Sequence, residues 1–217
     1  SFTTSAFNVT NNGHEYIDLG LSVKWATMNV GATTPGDYGG YYAWGETRTK
    51  STYNWSTYKW CNGSKTTLTK YNMDSSYGTV DNKMQLDLSD DAARANWGGA
   101  WRMPTDAEWT ELREQCTWTW TTQNGVKGYK VKSKNGNFIF LPAAGYCGDS
   151  SPYGAGIYGH YWSSALHADY QIFAGCVTFA SSDVDWLDDN RYLGQSVRPV
   201  LGGNESVQTT APAVTTA

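Results

Sequence analysis

Basic charge, long apolar runs and paired cysteine motifs are what this sequence has little of, and each shortage excludes something. Lysine and arginine number 16 against 20 acidic residues, a formal net charge of -4 over 217 residues, so no basic face exists for a phosphate backbone or an anionic bilayer. No stretch approaches the ~18 apolar residues of a membrane-spanning helix, and residues 1–10 lack the basic-then-apolar order of a secretion signal. Charged residues make up only 17%, which excludes a coiled coil. The four cysteines, Cys61, Cys116, Cys147 and Cys176, form no C-x-x-C pair and no Cys/His cluster at zinc spacing, so no structural metal is expected. Their spacing leaves both disulfides and buried thiols open. His14, His160 and His167 share no ligand spacing, and no local motif joins a nucleophile, a base and an orienting acid. The expectation is a non-catalytic protein with no cofactor.

What is present is aromatic and glycine-rich: 11 Trp, 15 Tyr and 23 Gly, the composition of a loop-rich domain filled by rings. One domain is expected over residues 14–201, with 1–13 a lead-in or linker and 202–217 a flexible polar tail. Residues 14–25 alternate as a hairpin around Gly20, and Gly39-Gly40 leads into a short buried strand at 41–44. Residues 46–87 are a long polar connection, uncommon in a compact domain and often functional. Two helices follow. Ser89, ahead of Asp90 and Asp91, is the expected N-cap of a short helix stopped by Gly98 and Gly99. Thr105 and Glu108 then form a T-x-x-E capping box, with Trp109, Leu112 and Cys116 on the buried face. Strands are expected beyond Cys116, with a type I′ hairpin turn at Asn135-Gly136.

The last segment, residues 161–200, mixes two kinds of residue. Trp162, Phe173, Val177, Phe179, Val184 and Val197 look like a β framework. Between and just ahead of them, Tyr158, His160, His167, Asp169, Tyr170, Ser182, Asp183, Asp185, Trp186, Asp188, Asp189, Asn190 and Tyr192 combine rigid rings with adaptable polar groups, the chemistry of a contact surface. Trp186, flanked by Asp185 and Asp188 in an expected loop, is the candidate anchor; the competing placement is a core residue on the same face as Val184. The acids at 183, 185, 188 and 189 invite a calcium reading but lack an EF-hand loop, so they are taken as solvated and no metal is assigned. Arg191 and Arg198 are expected to pair with carboxylates.

The WRMPTDAEW motif at 101–109, preceded by NWGG at 96–99 and followed by YWSS at 161–164 and GQSVRPV at 194–200, resembles the Fibrobacter-type major paralogous domain. That family is similar to the C-type lectin fold shared by formylglycine-generating enzymes and by the variable proteins of diversity-generating retroelements. The resemblance implies an α+β fold: two short helices on a small twisted antiparallel sheet, with long loops on one face. It also implies a diversified surface ahead of the closing Arg198-Pro199, a protein or glycan receptor as partner, and a place on a bacterial cell surface or phage particle. A calcium-assisted glycan-binding module is the alternative, although the E-P-N, Q-P-D and W-N-D motifs of sugar-binding lectins are missing. An oxidative enzyme is more remote, since no pattern here matches the reactive cysteine pair of the formylglycine-generating enzymes.

Overall fold

Period-two alternation of aromatic and β-branched residues against small or polar ones makes strands the main regular element of this chain. The computed structural model describes residues 9–202. Its first strands are β1 (Val9–Asn11), β2 (His14–Ile17) and β3 (Lys24–Ala26), followed after the long connection by helices α1 (Ala92–Trp97) and α2 (Asp106–Gln115). Next come β4 (Thr117–Gln123), β5 (Val126–Lys132), β6 (Phe138–Pro142), β7 (Tyr146–Gly148) and β8 (Ser151–Tyr153). The chain closes with β9 (Gly159–Leu166), β10 (Phe173–Phe179), β11 (Val184–Asn190) and β12 (Val200–Leu201). They form four sheets, ordered β1-β2-β3-β12, β11-β10-β9, β4-β5-β6 and β7-β8. Both ends of the described chain meet in the first sheet, where Trp25 pairs with Val200.

The architecture is thus mostly antiparallel β with two short helices. Its rings fill the interior: Trp25, Trp44, Trp101, Trp109 and Trp162 are fully buried. Several local expectations need correction. The folded region begins inside the expected lead-in, because Val9–Asn11 pairs with Asn11↔His14 and Val9↔Tyr16 in register. Of the expected tail, residues 203–217 lie outside the described residues. The N-cap of α1 is Asp91, accepting from the Arg94 N–H, while residues 88–90 form a 3-10 turn ahead of it. The I′ turn sits at Asn124-Gly125, whose φ angles are 50° and 83° and which joins Gln123 to Val126. The expected site, Asn135-Gly136, lies in a longer loop in which Gly136 alone has positive φ (92°), held by Ser133 and Asn137.

The capping box forms as expected, with Thr105 accepting from the Glu108 N–H and Glu108 accepting from the Thr105 N–H. Thr105→Ala is expected to cost about 1 kcal/mol of stability, read as a shift in the urea midpoint at unchanged slope.

Arg191 and Arg198 are both fully buried, yet neither meets a carboxylate. Arg198 donates to Asn29 Oδ1 and to the carbonyls of Ala26 and Phe140. Arg191 donates to the Tyr58 hydroxyl and to the carbonyls of Lys70, Tyr71 and Gln171. These bonds order the polar connection at 46–87, which has no strand of its own and is anchored instead by the buried rings Tyr53, Tyr58 and Tyr71.

Candidate functional site

The β11-β10-β9 sheet carries most of the candidate residues, and its register decides where each side chain goes. Thr178 faces His160 on one neighbour and Asp185 on the other, while Val177 faces Tyr161 and Trp186. Side chains alternate across a strand. One face therefore carries His160, Cys176, Thr178, Asp185, Leu187 and Asp189. The opposite face carries Tyr161, Val177, Val184, Trp186 and Asp188, and it packs on α2: the Trp109 and Tyr161 ring centroids are 5.8 Å apart, and Ser163 donates to Asp106 at 2.5 Å. Gly175 lets Trp186 settle there, since a Cβ at that position would stand 2.7 Å from the indole.

The first face opens into a groove of about 300 Å³, lined by Tyr146, Tyr158, His160, Asp183, Asp185 and Leu187. Tyr158 and Leu187, 46% and 50% exposed, line it beside the two carboxylates. At the inner end of the groove the His160 ring lies 4.8 Å from the Tyr146 ring. Its Nδ1 is 3.7 Å from Asp189 Oδ2, too far for a hydrogen bond, and that buried nitrogen has no partner. Burial pulls the His160 imidazole down to about 4 and pushes the Asp189 carboxyl up to about 6, against hydrogen bonds from the Asn190 N–H and the Gln195 amide. Burial, with the nearby carboxylates, also raises the Cys176 thiol well above its ordinary range. His160, Cys176 and Asp189 place one ligand atom each within 4.8 Å of one another, the arrangement among the described residues that could hold a metal ion.

The thirteen candidates do not form one surface. Tyr158, His160, Asp183 and Asp185 share the groove, and Asp189 adjoins it through His160. Ser182 is exposed beside Asp183, in the turn before β11. His167, Asp169 and Tyr170 cluster at the other end of the sheet: His167 Nδ1 accepts from the N–H groups of Asp169 and Tyr170, and its Nε2 is 3.3 Å from Asp188. Trp186 is no loop anchor. It is a half-buried strand residue packed, with Val184, against the core. Asn190 closes the β10–β11 ladder opposite Phe173. Tyr192 packs edge-on against Trp55 at 5.0 Å and touches two core clusters, outside the lining of the groove. Alternation also parts Asp185 and Asp189 from Asp188, and the acidic run does not converge on one cation.

Tyr146, Leu187, Cys176 and Gln195 were missed. Leu187 was recoverable, because period-two counting from Val184 and Trp186 puts it outward with Asp185. All four cysteines are free, and no helix among the described residues is long and apolar enough to cross a membrane. No family model, no curated protein and no solved structure matches this chain.

Proposed function

We propose that this chain is a non-catalytic recognition protein of C-type lectin-like fold, and that it binds a protein or glycan receptor at the groove on its C-terminal sheet. The observation that carries this reading is the groove itself. Two tyrosines and an exposed leucine flank a pair of carboxylates, over a framework whose opposite face packs through Tyr161 and Val177 into the core beneath α2. Ring faces suit the apolar side of a sugar or an aliphatic stem, and Asp183 and Asp185 accept hydrogen bonds from hydroxyl, amide or ammonium donors. A volume near 300 Å³ takes a small saccharide or one long side chain, at the low end of ligand sites. The finer fold assignment is supported by two short helices against small antiparallel sheets, and by the order of the WRMPTDAEW, YWSS and GQSVRPV segments. A place on a bacterial surface or phage particle is part of this proposal, with the outward positions 185 and 187 of β11 open to variation.

Screening the folded chain on a glycan array and a panel of cell-surface proteins tests this. Any binder found is expected to lose at least about tenfold in affinity, ~1.4 kcal/mol, in the Asp183→Ala/Asp185→Ala double variant and in Leu187→Asp, both retaining the native circular dichroism. A binder indifferent to both variants would move recognition off the groove. In the source genome, a reverse transcriptase gene beside a near-copy of the DNA for residues 158–200, differing only at adenines, would support diversification. Variation falling on Trp186 or Val177 rather than on outward positions would count against it.

A further inference from the structure

Three neighbouring strands deliver three different donor types to one point: an imidazole from His160 on β9, a thiol from Cys176 on β10 and a carboxylate from Asp189 on β11. We propose that these side chains form a binding site for a divalent transition-metal ion of the zinc class. His160 Nδ1, Cys176 Sγ and one Asp189 oxygen are the protein ligands, and a fourth position is left to water or to a donor atom arriving through the groove.

Geometry comes first. Tetrahedral bonds of ~2.0–2.3 Å hold ligand atoms roughly 3.3–3.8 Å apart. The His160 Nδ1 to Asp189 Oδ2 distance is already 3.7 Å, and His160, Cys176 and Asp189 each bring one ligand atom within 4.8 Å of the others, about 1 Å beyond the tetrahedral spacing. The second observation is the orphaned nitrogen. His160 has a side chain only 13% exposed, and its Nδ1 is buried without a hydrogen-bond partner, which is rare unless a water or an ion completes the group. A cation between Nδ1 and the carboxylate satisfies both.

Support around the ligands has the form found at metal centres, where neighbouring groups orient the ligating atoms. Gln195, fully buried, donates its amide to Asp189 Oδ2 at 2.9 Å, and the Tyr146 ring packs on the imidazole. The donor chemistry selects the ion: thiolate with imidazole and one carboxylate suits zinc or cobalt, whereas calcium and magnesium take oxygen sets. A divalent charge also offsets the thiolate and the carboxylate together. Access exists because His160 borders the groove. The site was invisible in the sequence because its ligands are spaced by strand register, not by a local motif.

The test uses the full chain, reduced, stripped with a chelator and titrated with Co²⁺. The expected result is binding at one ion per chain with a thiolate-to-cobalt charge-transfer band, which Zn²⁺ abolishes by displacement. Cys176→Ser is expected to lose the band. Because Cys176 is fully buried, Asp189→Asn and His160→Gln serve as further variants, checked for native circular dichroism. Each is expected to weaken Co²⁺ binding by more than ~100-fold, beyond the loss typical of removing a merely supporting partner. A wild-type chain without the band, a band that persists in Cys176→Ser and so belongs to another thiol, or unchanged affinity in both other variants overturns the proposal. The readout is the cation alone, so its failure leaves receptor recognition at the groove standing, and failure of recognition leaves the metal site standing.

Discussion

Replacing Arg191 with methionine is expected to remove about 4 kcal/mol or more of stability, a large share of what a domain of this kind has. The guanidinium is fully buried and makes four hydrogen bonds of 2.9 Å, to the Tyr58 hydroxyl and to the carbonyls of Lys70, Tyr71 and Gln171. It also lies 5.1 Å from the Trp44 ring centroid and 5.3 Å from that of Tyr58. Methionine fills much of the same volume but donates nothing, and three carbonyls lose their donor at ~1–3 kcal/mol each. Arg191→Lys keeps the charge and loses the planar fork, so an intermediate cost is expected. The damage should be local before it is global. Arg191 joins the end of β11 to the 58–71 part of the long connection, so amide exchange should accelerate there first. Urea unfolding gives the magnitude, and a loss below about 1 kcal/mol would show that the connection is held by its buried tyrosines alone.

That same arginine shows what the sequence could and could not disclose. Signals confined to a few residues were legible: the Thr105–Glu108 box and the Gly98 stop form, while the hairpin at 14–25 forms only in part, with Tyr16↔Ala26 and Ile17↔Trp25 paired and residues 18–23 in the loop between them. The 181–192 stretch misled because its Ser, Asp and Asn content is that of a loop. On an edge strand, however, polar residues occupy the solvent positions while Val184 and Trp186 turn inward, so composition imitates a loop where alternation marks a strand. Reading it as a loop merged two faces into one imagined surface and promoted Trp186 to an anchor. Contacts set by long-range register carry no local signature at all. Arg191 reaching Tyr71, or His160 meeting Asp189, follows from how antiparallel strands and a long connection close over one another. The carboxylate partners expected for the two arginines failed for a physical reason: backbone carbonyls freed by irregular connections also need donors, and a buried guanidinium supplies several at once.

Trp109→Ala is expected to destabilise the protein by ~3–5 kcal/mol, and to do so without touching the groove. Trp109 is fully buried on α2. Its ring lies 4.7 Å from that of Trp25 and 5.8 Å from that of Tyr161, and its Nε1 donates to the Trp162 carbonyl at 3.2 Å. One side chain therefore couples the helix to the terminal sheet through Trp25 and to the β11-β10-β9 sheet through β9. Alanine leaves a cavity ringed by other aromatics, which cannot collapse into it, and strands the Trp162 carbonyl. Trp186→Ala, at a half-buried position with one solvent side, should cost clearly less. Asp183→Ala, in an exposed turn, should stay within ~0.5 kcal/mol. This ordering tests the division of the sheet into a structural face and a contact face. Along the same series, affinity per folded molecule should run the other way, nearly unchanged in Trp109→Ala and reduced in the aspartate variants. If urea unfolding ranked Trp186 above Trp109, the indole on β11 rather than helix α2 would be the element holding the sheet in place, and its outward neighbours could not vary freely.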